Sequence, residues 1–471
     1  MIGPPAAPPS PGPEAGGGAR AGGRRWPTQG RRLAEAVRQL LPGTGLKRWG
    51  LLAVGAVLVG ALGGRLWAVG HADWGLGAVA VGAVIAALAV RRAAVTVAGT
   101  LARDPTRPLL DVMRERRSRE RGPRTVAVGG GTGLSTLLRG MKFHSDHLTA
   151  VVTVADDGGS SGRLREEMGI LPPGDVRNTL VAMADTEPLL ERLFQYRFTR
   201  GEGLTGHTFG NLFIAAMSEI TGDFQEAIRQ FSRVLAVRGQ VLPSTLHSVQ
   251  LRAEFADGST VTGESAIPRQ GKPIRRITLV PPDVPAVPEA LDAILQADIV
   301  VLGPGSLYTS VIPNLLVRDV AAALRETEAL RVYVCNVMTQ PGETDGYRAS
   351  DHVRALLEHG GGPGLVDCVL VNTAQVPEGL LRRYMAEGAR PVEADVESLM
   401  AMGLVVVSGP LVSHTHVVRH DSVRLAEAVA ALAALGRELA PPGSHLTLDE
   451  VLARAQHLRR PASRRRGAVA L

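Results

Sequence analysis

Residues 152–164 read VTVADDGGSSGRL, so an apolar run delivers two adjacent carboxylates, Asp156 and Asp157, into a stretch holding Gly158, Gly159 and Gly162. Adjacent like charges repel, and glycines lose the most backbone freedom on folding, so this is poor material for stability and is expected to serve a ligand. GGGTGLSTLL (129–138) has the same character, with Gly129, Gly130, Gly131, Thr132 and Gly133 directly after an apolar run. Such glycines let backbone N–H groups approach a phosphate, and a helix starting near Leu134 would add the positive end of its dipole. The loop is not a GxGxxG fingerprint, because Thr136 takes the last glycine position, and it lacks the GK[ST] of a P-loop.

Further along, LGPGSLYTS (302–310) offers Gly303, Gly305 and Ser306 as a second anion nest. PPGDVRN (172–178) offers Asp175 as a helix N-cap with Asn178 in the first turn, and GHTFGNL (206–212) offers a loop histidine, His207, and Asn211. His207 reads as a polar contact or proton carrier on one view and as a capping residue on the other. NVMTQPGETDGY (336–347) completes the set. Asp156 lies 27 residues beyond Gly129, near the spacing at which an acidic residue meets a ribose in dinucleotide folds. Alternatively Asp156 and Asp157 hold a hydrated Mg²⁺ against a diphosphate, a hard cation on hard oxygens. Asn178 and Asn211 are candidates to read polar groups of a base or sugar.

These loops need strands to deliver them. Short, unalternated apolar runs at 125–128, 150–155, 299–302, 332–334, 368–371 and 404–407 look like strands buried on both faces. Helical patterns lie between them, for example at 223–237 and 350–359, so the expected fold is a Rossmann-like, doubly wound, mostly parallel α/β sheet with helices on both faces. QLRAEFADGSTVTG, with Asp257-Gly258 at its turn, predicts a β-hairpin excursion. In such sheets ligands bind beyond the carboxyl ends of the strands, where all the loops above sit.

The N-terminal part has a different composition. Residues 1–48 are rich in Pro, Gly and Arg and read as a disordered arm. Two apolar runs within 49–92, interrupted only by Arg65 and a short turn, approach the ~20 residues that span a bilayer. With Lys47 and Arg48 before them and Arg91 and Arg92 after, the positive-inside rule makes a transmembrane hairpin with both termini cytoplasmic. The alternative is a pair of buried Ala/Gly/Val helices. Residues 93–123 form an Arg-rich linker suited to anionic lipid head groups on the inner leaflet or to solvent. An α/β domain is expected over 124–440, then a C-terminal helix and basic tail over 441–471.

Charge and cysteine usage narrow the function. The net charge of +7 is carried by the termini and linker, which leaves residues 125–458 acidic at about −10. That excludes nucleic acid as a partner of the folded part. Cys335 and Cys368 are far apart in apolar surroundings, as expected of reduced thiols in a cytosolic compartment.

GGGTGLSTLLRG, VTVADDGGSSGRLR, PPGDVRN, GEGLTGHTFGNL, TGDF, VRGQVLP, TGES, GPGSLYTSVIPNLL and CNVMTQPGETDGY occur in this order over about residues 124–430. Together they resemble the YvcK group of the CofD-like family, the gluconeogenesis factors, although the membrane hairpin is not part of the usual family pattern. The resemblance implies a Rossmann-like core with its ligand site at the strand ends. For the CofD branch it implies Mg²⁺-dependent transfer of a phospholactyl group from a guanosine diphosphate carrier to a deazaflavin precursor. For the YvcK type it implies a regulatory protein binding a nucleotide sugar such as UDP-N-acetylglucosamine. Such proteins are tied to growth on gluconeogenic carbon, cell shape and envelope synthesis, here with an envelope-synthesis protein as partner and a homo-oligomeric state. We expect the regulatory binder, with no certain cofactor, and rank an NAD-binding oxidoreductase third. Aromatic residues are only 4% of the chain, few to stack on a deazaflavin.

Overall fold

The structure, a computed structural model, describes residues 46–101, 109–185, 188–413 and 417–459. The expected disordered arm (residues 1–45 of it) and the basic tail after Arg459 lie outside the described residues. The chain divides into two compact units at Arg114/Glu115.

The first unit contains helices α1 (Leu46–Ala68) and α2 (Ala72–Leu101), joined by a turn at Val69–His71. Their small residues make the close approach: a Cβ on Gly63 would lie 2.8 Å from the Gly75 carbonyl oxygen, and one on Gly82 would lie 2.7 Å from that of Ala56. Large apolar side chains point outward instead, among them Leu58, Leu62, Trp67, Trp74 and Val84. Ala72–Arg92 is apolar over 21 residues with a mean hydropathy of 1.9, long enough to cross a membrane, whereas the described apolar part of α1, Leu52–Ala68, is shorter. α2 runs on to Leu101, so residues 93–101 continue the helix where the linker was expected to begin. Helix α3 (Leu109–Arg119) carries part of the arginine-rich stretch.

The described residues of the second unit form eleven strands: β1 (Thr125–Gly129), β2 (Leu148–Val152), β3 (Gln240–Pro243), β4 (Gln250–Phe255), β5 (Thr260–Thr262), β6 (Ile274–Val280), β7 (Ile299–Leu302), β8 (Leu330–Val334), β9 (Cys368–Asn372), β10 (Val405–Gly409) and β11 (His445–Thr447). Eight form one sheet in the order β11-β10-β9-β8-β7-β1-β2-β3, with every pairing parallel. The expected hairpin is present as β4 and β5, but β6 joins them in a separate three-stranded antiparallel sheet of order β5-β4-β6. The second strand runs from Leu148 to Val152, short of the expected Ala155; Thr153 N–H makes the last ladder bond, to the Gly129 carbonyl at 3.1 Å.

The principal helices are α4 (Gly131–Met141), α5 (Gly159–Met168), α6 (Gly174–Met183), α7 (Phe209–Thr221), α8 (Phe224–Val234), α9 (Pro288–Leu295), α10 (Arg318–Glu326), α11 (Ala349–His359), α12 (Glu378–Ala386), α13 (Ser422–Leu435) and α14 (Leu448–Arg459). Asp223 caps α8 through Glu226 N–H at 2.6 Å. Strand residues alternate between two cores. Val126, Val128, Val151 and Leu302 pack with Ile294, Leu324 and Leu356 and with the small sheet through Leu251 and Ile277. Ala127, Val152 and Val301 pack on the other face with Leu134, Leu180 and Leu425 of α4, α6 and α13. Burial on both faces is why these strands read as continuous apolar runs.

Candidate ligand site at the switch point

β1 is flanked by β2 and β7, with the chain leaving β2 toward one edge and β7 toward the other. In open α/β sheets this reversal opens a crevice beyond the carboxyl ends. Here the loops after β1 and β7 wall a cavity of about 420 Å³, lined by Gly130–Gly133, Pro304–Ser306, Asn336–Pro341, Tyr384, Glu387, Val418, Arg419 and His420.

α4 begins at Gly131, not near Leu134: Gly130 is extended with no side-chain cap, and Gly131 takes φ 64°. First-turn amides have no intrahelical acceptor, so those of Thr132 and Gly133 open at the positive end of the helix dipole on the cavity. Two glycines are required by close approach. A Cβ on Gly133 would lie 2.5 Å from the Pro304 carbonyl oxygen, and one on Gly130 would lie 2.4 Å from Asp175 Oδ2. Beneath the loop, buried Asn314 donates from Nδ2 to the carbonyls of Ser310 (2.8 Å) and Gly129 (3.2 Å).

The second glycine loop is a wall, not the amide nest expected from its sequence. Gly303 N–H donates to Val128 O at 2.9 Å, continuing the sheet, and Gly305 N–H donates to Asn336 Oδ1 at 3.3 Å. Asn336 Nδ2 returns a bond to Gly305 O at 2.8 Å, and Ser306 Oγ donates to Gln340 Oε1 at 2.6 Å. The segment after β8 therefore holds the segment after β7.

Asp175 is not an N-cap. α6 starts at Gly174 after Pro173, without a side-chain cap, and Asp175 lies half-buried in the first turn, accepting the Gly131 N–H. Burial and then the Asp156 charge push its carboxyl up to about 7. Glu264 is raised to about 8 by burial and then by Asp156 and Asp157. Asp156 and Asp157 face different partners: Asp156 Oδ1 accepts Gly158 N–H, whereas Asp157 Oδ1 accepts Ser265 N–H, both at 2.9 Å. Among the described residues no three His, Cys, Asp or Glu side chains converge as a metal ligand set. Asp156 thus bonds within its own loop while Asp157 reaches the segment after β5, so the two carboxylates considered for Mg²⁺ turn to different partners. Neither lines the cavity.

Asn178, His207 and Asn211 lie behind the glycine loop in a polar network centred on buried Arg177. Arg177 donates to Thr208 Oγ1, to Asn211 Oδ1 at 2.9 Å and to Asn178 Oδ1 at 2.7 Å. Asn211 Nδ2 donates to Ser160 Oγ at 3.1 Å, and that hydroxyl meets His207 Nδ1 at 3.0 Å. Burial, then Arg163, lowers the His207 pKa, which favours the neutral ring. With one bond at each polar end and the side chain buried, Asn211 supports the network behind the glycine loop. Gly131, Asp175, Asp156, Arg177, Asn211 and His207 are nevertheless one linked array, through hydrogen bonds and the mutual fields of Asp156, Asp175 and Arg177.

Sequence reasoning missed the far wall. Tyr384 on α12, whose hydroxyl accepts Val418 N–H at 3.3 Å, and Arg419 and His420 come from segments with no glycine signature. The density of basic and histidine residues in LVSHTHVVRH (411–420) was the available signal.

Fold and cavity define a Rossmann-like α/β protein with a glycine-loop crevice at its topological switch point. Residues 125–412 match the family described as 2-phospho-L-lactate transferase CofD, and the chain belongs to that family, among its gluconeogenesis factors. It is 53% identical over 305 residues to the "Gluconeogenesis factor" of Bacillus subtilis, covering 64% of this chain and 96% of that protein. A Nostoc sp. relative is 47% identical over 420 residues, covering 84% of this chain and 92% of its own. The crystal structure of a UPF0052 family member from Bacillus halodurans superposes with a TM-score of 0.64 at 52% identity, covering 65% of this chain and 98% of that one.

Proposed function

We propose that the α/β unit is a regulatory binder of a nucleotide sugar of the UDP-N-acetylglucosamine kind, serving cell shape and envelope synthesis during growth on gluconeogenic carbon. The observation that carries this reading is the start of α4: open amides at Thr132 and Gly133 face a cavity of about 420 Å³, a volume suited to a small metabolite. Phosphate oxygens belong at those amides, where hydrogen-bond donors and the helix dipole act together. Arg419 on the opposite wall supplies the positive charge that a second phosphate needs. Tyr384 and Val418 provide surface for a ring.

Regulation needs only that the ligand order the loops which it bridges, so that a partner distinguishes the filled from the empty state. The competing reading is phosphoryl-linked group transfer, as the family description suggests. Isothermal titration with UDP-N-acetylglucosamine, GDP and NAD, followed by incubation with Mg²⁺ and an acceptor, separates the two. Saturable binding of the nucleotide sugar without turnover is expected, and turnover would replace this reading with the transferase.

The helical pair is proposed to tether this unit to the inner face of the cytoplasmic membrane, with both chain termini cytoplasmic. Its packing supports this: glycines and alanines meet between the helices while Leu, Val and Trp side chains face outward, an arrangement suited to lipid.

A further inference from the structure

His420 lines the cavity, is 7% exposed, and leaves Nε2 with no hydrogen-bond partner. Its other ring nitrogen is committed to Cys335. The Cys335 N–H already donates to Leu370 O at 3.1 Å, so the group facing His420 is the Cys335 carbonyl, and only a ring N–H can satisfy it. That fixes the tautomer: Nδ1 carries the proton and Nε2 carries a lone pair. Burial lowers the ring's pKa to about 4, which keeps the acceptor neutral at physiological pH.

A lone pair repels phosphate oxygens, which are themselves acceptors. The cavity is therefore polarised, with donors at the start of α4 and an acceptor at His420. Resting on the reading above, we infer that His420 orients the ligand by accepting a hydrogen bond from an O–H or N–H in its non-phosphate part, a sugar hydroxyl or amide or the imide of a pyrimidine. A ligand bound the other way round would leave Nε2 buried against phosphate and the amides at the start of α4 without their anion, whereas Arg419 still reaches the distal phosphate in the favoured orientation.

The test is calorimetric titration of the full-length wild type, His420→Phe and His420→Gln with UDP-N-acetylglucosamine, UDP and inorganic pyrophosphate. Wild-type binding of no probe would overturn the reading of the cavity itself. Given wild-type binding, His420→Phe is expected to weaken UDP-N-acetylglucosamine about tenfold, the value of one hydrogen bond, and to leave pyrophosphate within about twofold. His420→Gln, whose amide oxygen restores an acceptor, is expected to recover part of the loss. An equal loss with UDP places the donor on the nucleoside, and a loss confined to the sugar nucleotide places it on the sugar. Unchanged affinity for UDP-N-acetylglucosamine, or the same loss for pyrophosphate in both variants, would overturn the assignment.

Discussion

Replacing Asp175 by Asn should change stability in a pH-dependent way whose size follows from its surroundings. The carboxyl is packed against the glycine loop beside Asp156, and burial first, then that charge, raise it from the ordinary 3.8 to about 7. The folded state thus holds the proton more tightly than the unfolded chain. Such a group contributes its full stability below about pH 4, loses it as pH rises through 7, and stays at the lower level above. At about 1.4 kcal/mol per pH unit the loss amounts to about 4 kcal/mol by pH 8.5, against about 1 kcal/mol at pH 4.5. Asn keeps an oxygen for the Gly131 N–H and removes the titration. Urea unfolding of the α/β unit, followed by far-ultraviolet circular dichroism, should show Asp175→Asn gaining about 3 kcal/mol over wild type on moving from pH 4.5 to 8.5. A mutant-to-wild-type difference that is the same at both pH values would refute the argument that burial and Asp156 govern this carboxyl.

Three other outcomes test other parts of the molecule. Gly133→Ala should abolish measurable nucleotide binding and cost about 1–3 kcal/mol of stability, because its methyl group meets the Pro304 carbonyl; thermal unfolding and titration read both. Arg419→Ala should lower nucleotide affinity about tenfold and flatten its dependence on salt, measured by titration at two ionic strengths, with little change in melting temperature since the side chain is exposed. Removal of residues 1–92 should move the protein from the membrane fraction to the soluble fraction on centrifugation, and a full-length chain already soluble without detergent would contradict the tether.

Some of this protein is legible without coordinates because its cause is local. Strands such as Ile299–Leu302 and Cys368–Asn372 announce themselves as continuous apolar runs, since both of their faces are covered. Glycine-rich turns after strands mark the crevice, since close backbone approach needs glycine whatever the rest of the fold does. Edge strands β3 and β11 and the third strand of the small sheet have no such run, and their assignment rests on partners distant in sequence. The same limit holds within the site. That Gly303 and Gly305 donate to Val128 and Asn336, that Asp175 faces Gly131 instead of capping its helix, and that Arg419 and His420 form the far wall are all facts of neighbourhood. Residue type and spacing determined which segments carry phosphate chemistry. Only the strand order, set by long-range pairing and burial of two cores, decided which of their polar groups remain free to meet a ligand.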